Sequence, residues 1–363
     1  MAARTGWNRA SAAVTASAAL IVMLASCSVV GSQSPSPSAS GRTGHHGSAV
    51  SAPPHLPGSQ PAAAPTQTPS RSRPSYPVGV REITVDEGSR ETGTAGRVGA
   101  QVVPTLVRYP AMTGHAGRDN QDASAASGRF PLVVFGPGYL QCGSAYAPLL
   151  RSWAAAGFVV AEVTFPLTSC HTADPDEADI VNQPFDVTAV ISRLLADSAD
   201  PGSPLHGLIN PGQVAVAGHS DGADTAAAVA DNTCCRDPRL RAAIILAGAE
   251  LSSLGGTYFP VGSVPTLFVQ GTGDTVNVPA DTSQLYDGDR AAAKALLWLD
   301  GASHLSPYEG DGPAEQLVAK VTTDFLRMTL LGSGPAARSM VRDGGVPGRS
   351  TLTTSGLPSA ATG

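Results

Sequence analysis

The stretch Gln213-Val-Ala-Val-Ala-Gly-His-Ser-Asp-Gly222, running on into Ala223-Asp-Thr-Ala-Ala-Ala-Val-Ala230, constrains the fold more than any other. An apolar, β-branched run ends at Gly218, Ser220 follows, Gly222 closes the pattern and an Ala-rich helical segment begins at once. The spacing G-x-S-x-G between a strand and a helix predicts a sharp turn. A Cβ two residues either side of the serine would collide with the neighbouring strand and helix. The serine is then held strained with its hydroxyl exposed, and the helix that follows points its positive end at it.

The same period changes recur from Tyr76 to Leu331. Val78 to Val85 and Val98 to Tyr109 alternate as two opening strands, a hairpin or edge pair. Phe130 to Phe135 is a continuous apolar run, as expected of a strand buried on both faces. Helix Tyr146–Ala156, strand Phe158–Phe165 and helix Val187–Ala196 follow, then the segment above. Leu240–Leu246, Thr266–Gln270 and Ala295–Leu299 supply three more strands, and Ala314–Leu331 a closing helix. Strands alternating with helices predict an α/β domain over 76–331, its mostly parallel central sheet covered on both faces. With 363 residues the chain suffices for one such domain.

Chemistry-bearing residues fall at predicted strand ends, in the order serine, acid, histidine. The run Pro265–Gln270 leads into Gly271-Thr-Gly-Asp274, and Ala295–Asp300 into Gly301-Ala-Ser-His304. Ser220 is the candidate nucleophile, His304 the general base and Asp274 the group that orients the imidazole. Asp281 and Asp300 are rival acids; Asp300 is so near His304 in sequence that its strand should aim it elsewhere. An oxyanion needs two backbone N–H donors. Asp221, next after the nucleophile, should give one, and Tyr139, in the Gly-rich loop Gly136–Leu140, the other. The Asp221 side chain must point away from the oxyanion or it would oppose it.

The flanks differ in composition. Arg4 and Arg9 precede a short apolar run, Ser11 to Leu24, which ends in Leu24-Ala25-Ser26-Cys27. Residues 1–26 read as a secretory signal, and Cys27 as the lipidated first residue of a bacterial lipoprotein. The run is too short to span a bilayer comfortably, so acyl chains would hold the protein to the outer face of the cell membrane, with release possible. Residues 27–75 are a Ser/Pro/Ala-rich tether that cannot offset its own ordering entropy, reaching roughly 40 Å as a flexible coil. Residues 332–363 have similar composition and read as a disordered tail. A net charge of −6 gives no basic footprint for nucleic acid.

Four further cysteines lie in what would be an oxidising compartment, and three pairings are possible. Cys142 and Cys170 each follow a strand, so their loops should meet at one end of the sheet, which leaves the adjacent pair Cys234 and Cys235. The acidic stretch Asp174 to Asp179 is expected to be a solvated loop, with a place on the rim of the site as the alternative.

The segments Phe130–Tyr139, Trp153–Val160, Gly218–Gly222, Gly273-Asp274 and His304 together resemble the α/β-hydrolase superfamily. Within it the chain is similar to the group holding platelet-activating-factor acetylhydrolases, chlorophyllases, dienelactone-hydrolase-like enzymes and bacterial polyester hydrolases. That resemblance, with no long cap insertion in residues 248–264, implies an open, shallow cleft suited to accessible esters. The expectation is a carboxylic ester hydrolase with an acyl-enzyme intermediate. It needs no metal or organic cofactor, acts on small-molecule, lipid or polymer esters, and is monomeric. An amidase or peptidase with the same residues, or a catalytically silent envelope binding protein, is the alternative.

Overall fold

The computed structural model describes residues 75–92, 97–260 and 262–357. The signal segment, Cys27 and the tether as far as residue 74 lie outside the described residues. The chain opens with β1 (Val78–Thr92) and β2 (Arg97–Pro110), paired antiparallel, and the short β3 (Asp119–Gln121) beside β1. It continues with β4 (Phe130–Gly136), α1 (Ala147–Ala155), β5 (Val159–Val163), α2 (Gln183–Ala199), β6 (Ile209–His219) and α3 (Asp221–Asp231). Then come β7 (Leu240–Leu246), β8 (Thr266–Gly271), α4 (Pro279–Gly288), β9 (Lys294–Leu299), α5 (Pro313–Leu331), α6 (Gly334–Gly344) and β10 (Ser350–Ser355).

Among the described residues the strands form one sheet of order β10-β9-β8-β7-β6-β4-β5-β2-β1-β3. The six central strands are parallel. β2 and β10 close the two sides antiparallel, on β5 and β9. This is the α/β-hydrolase architecture.

Alternation along β4 shows why both faces need cover. Leu132 and Val134 pack into a core with Val187, Val190 and Ile191 of α2 and Ala223, Ala226, Ala227 and Ala230 of α3. Val133 and Phe135 pack into another with Leu149, Leu150 and Trp153 of α1 and Val321 and Phe325 of α5. Trp153 Nε1 donates to Thr322 Oγ1 at 2.9 Å, so the one polar atom of a buried indole is satisfied across the α1–α5 contact.

The tail expected beyond residue 331 is instead folded as far as 355. Gly332, at φ 63°, ends α5 in the left-handed conformation that favours glycine, and the chain turns back into α6. Met340 of α6 is fully buried in the second core, and β10 pairs with the whole length of β9. Lys320 of α5 binds Asp343 of α6 at 2.6 Å. A segment poor in large apolar residues is ordered here because it covers an edge that already exists.

Candidate active site

Ser220, Asp274 and His304 follow the carboxyl ends of β6, β8 and β9, three strands that the parallel sheet places on one rim. Ser220 has φ 54° and ψ −127°, a conformation costing a non-glycine residue about 1–3 kcal/mol. The surrounding backbone imposes it. A Cβ at Gly218 would overlap the Gly222 carbonyl, and one at Gly222 would overlap that of Gly136, so β6, α3 and the end of β4 meet with no room for a side chain.

The three side chains form a continuous chain of hydrogen bonds. His304 Nε2 lies 2.9 Å from Ser220 Oγ, and His304 Nδ1 lies 2.7 Å from Asp274 Oδ2. Asp274 is buried and further held: Val276 N–H donates to Oδ1 at 2.8 Å and Gln270 Nε2 to Oδ2 at 3.1 Å. Its carboxylate can therefore accept from imidazole Nδ1–H in one orientation only, leaving Nε2 free to take a proton from Ser220. The rival acids are elsewhere. Asp281 lies in the first turn of α4, and exposed Asp300 stands just past the end of β9, its N–H donating to Arg349 O beside the start of β10.

The loop after β4 runs alongside the serine. A Cβ on Gly138 would sit 3.1 Å from Ser220 Cβ, a tight contact that the glycine spares the loop as it passes the serine. Gln141 N–H donates to Gly138 O and Leu140 N–H to Thr168 O, while Tyr139 N–H has no backbone acceptor among the described residues and Asp221 N–H faces its own carboxylate. The Cys142–Cys170 disulfide fastens this loop to the one following β5, and Cys234 is joined to Cys235. Behind the loop a cavity of about 540 Å³ is lined by Gly138, Cys142, Arg108 and Glu162; Ser220 and His304 do not line it.

The family model described as PETase, PET hydrolase-like, matches residues 94–328, which takes in Tyr139, Ser220, Asp274 and His304. The chain belongs to the PET hydrolase-like family. It is a member of the polyester-hydrolase group of the α/β-hydrolase superfamily, and hence a hydrolase acting on esters. No curated protein matches the chain. Of the two elements after α5, all of α6 and β10 falls beyond the part shared with the PET hydrolase-like family.

In this family member the surroundings of the serine are acidic. Burial pushes the Asp221 carboxyl up to about 6, and Glu177 pushes it the same way, while its own backbone N–H pulls it down. Burial, then Glu177, Asp221 and Asp176, raises the Tyr139 phenol. The stretch 174–179, expected to be solvated, is therefore partly structural: Asp176 caps a 3-10 turn over Glu177–Val181, Asp179 is buried, and Glu177 acts on both Tyr139 and Asp221. Reading the chain alone also passed over Gln270. A polar side chain ending the otherwise apolar run 265–270 was the available signal, and the structure uses it to hold Asp274.

Proposed function

We propose that this protein is a secreted, lipid-anchored serine hydrolase that cleaves carboxylic esters through an acyl-enzyme intermediate. The observation that carries the chemistry is the unbroken path from Ser220 Oγ through the His304 ring to the buried Asp274 carboxylate.

His304 Nε2 takes the Ser220 proton as Oγ attacks the ester carbonyl carbon, and the carbonyl oxygen becomes an oxyanion. The N–H groups of Tyr139 and Asp221 are the donors assigned to that oxyanion: Tyr139 N–H has no backbone acceptor among the described residues, and Asp221 N–H has only its own carboxylate to give up. Collapse expels the alkoxide, which leaves as the alcohol with the proton from His304. Water then attacks the acyl-serine with His304 again as base, releasing the carboxylic acid and restoring Ser220. Asp274 keeps Nδ1 protonated throughout and balances the transient imidazolium.

Anchoring rests on the sequence: an apolar run that stops at Cys27 and a tether long enough to carry the domain clear of the membrane. Among the described residues no helix is long and apolar enough to cross a membrane. Metabolic labelling with a fatty-acid analogue tests it, and a Cys27→Ser chain that keeps the label contradicts it. For the chemistry, a fluorophosphonate should label the wild-type protein and leave Ser220→Ala unlabelled. Absence of label on folded wild type contradicts the serine mechanism.

A further inference from the structure

Between Gly218 and Ser220 the chain carries His219, whose ring has no solvent exposure and plays no part in the steps above. Both ring nitrogens are engaged. Nε2 lies 2.9 Å from the backbone carbonyl oxygen of His304, and Nδ1 lies 2.8 Å from Tyr146 Oη. A carbonyl can only accept, so Nε2 carries the proton, Nδ1 is the bare acceptor, and the Tyr146 hydroxyl donates to it. The Tyr146 oxygen in turn faces the Gly138 N–H at 3.4 Å. Every hydrogen bond in the series thus runs one way, from Gly138 N–H through Tyr146 and His219 to the main chain of His304. The imidazole centroid lies 4.7 Å from those of both the His304 and Tyr308 rings.

We infer that His219, with Tyr146, is a positioning residue that holds three separate loops in one register: the turn bearing Ser220, the loop bearing His304 and the loop bearing Gly138. The inference rests on the serine mechanism proposed above. Each loop supplies one reacting part, and only this pair of side chains ties the three together through hydrogen bonds among the described residues. The His304 ring must stay within hydrogen-bond reach of both Ser220 and Asp274, and its backbone carbonyl is the point on its loop that His219 grips. A shift of about 1 Å in such an arrangement can cost about 100-fold in rate. A charged His219 would present N–H to the Tyr146 oxygen and reverse half of the series. Burial, followed by the nearby His304, keeps the ring neutral, pushing it down to about 3.

The test uses full-length protein and four variants, followed by fluorophosphonate labelling rate, steady-state kinetics on a soluble p-nitrophenyl ester, and thermal unfolding. His219→Leu should lose kcat by about 10- to 100-fold with KM within about twofold, because groups are misplaced rather than substrate contacts removed. His219→Gln, which restores a donor near the Nε2 position, should recover most of that loss. Tyr146→Phe, which keeps the ring and deletes only the hydroxyl, should lower kcat by about 3- to 10-fold, and should do so even if His219→Leu does not fold. His219→Asn, which restores the acceptor but not the donor, should stay near His219→Leu. The inference is overturned if folded Tyr146→Phe matches wild type in kcat. It is equally overturned if His219→Gln and His219→Leu fall alike in proportion to their lost stability. Failure of wild type itself to label would instead remove the serine mechanism, so the two outcomes are separable.

Discussion

Gln270 Nε2 donates to the Asp274 oxygen that also faces His304 Nδ1, and Gln270 Oε1 accepts from Thr282 Oγ1 at 2.7 Å. The acid is thus braced from inside the sheet by β8 and from α4. Gln270→Leu removes a donor to a buried carboxylate and leaves the Thr282 hydroxyl one acceptor short. We expect kcat to fall by about tenfold and stability by about 1–3 kcal/mol. Thr282→Val should give a weaker version of both, measured by steady-state kinetics and denaturant unfolding. Unchanged kcat in folded Gln270→Leu would show that Asp274 needs no brace.

Asp221 links the site to pH. Its folded value of about 6 stands above its ordinary 3.8, so the folded protein holds that proton more tightly than the unfolded chain. The stability this gives is complete below about pH 4 and is lost as pH rises through about 6. Above that range a carboxylate stands beside the serine, pulling on the same N–H assigned to the oxyanion. Asp221→Asn should therefore raise the melting temperature at pH 8 and not at pH 4. It should also raise kcat/KM about threefold at pH 8, with little change at pH 5. Equal effects at both pH values would place the carboxylate outside the reaction's reach.

Reduction should reach the site through Cys142–Cys170. The bridge closes a separation of 28 residues and fastens the Gly138 loop, so losing it should cost about 3.5 kcal/mol by the chain-entropy estimate. Cys170→Ser should lower both the melting temperature and kcat, with KM less affected. If only stability falls, the bridge holds the fold without holding the loop.

The C-terminal segment gives a prediction that composition alone would reverse. A chain ending at residue 332 lacks α6 and β10, uncovers the buried surface around Met340 and leaves β9 as a bare edge. We expect it to melt lower and aggregate, whereas a chain ending at 357 should behave as full length, as light scattering during a thermal ramp would show.

What could be read without coordinates followed the strength of local signals. Strands such as Phe130–Gly136, apolar at every position, and the turn around Ser220 announce themselves, because few residue types satisfy either environment. Ser220, Asp274 and His304 were legible for the same reason: residue type, strand end and chain order must all agree. β10, with the sequence Ser-Thr-Leu-Thr-Thr-Ser, was not, since an edge strand over a finished core needs little apolar content. α4 was missed because it buries only Thr282 and Leu285. The grip of His219 on the His304 carbonyl lies beyond sequence in another way, because it joins positions 85 residues apart through a backbone atom, which carries no residue code.

Whether the Ser220 oxygen carries the acyl group can be read by rapid mixing with a p-nitrophenyl ester, acid quench and intact-mass analysis. The protein should be heavier by one acyl group, with the modification on the peptide containing Ser220 and none in Ser220→Ala. Turnover by wild type that proceeds equally well in folded Ser220→Ala, with no acyl group on that peptide, would contradict it.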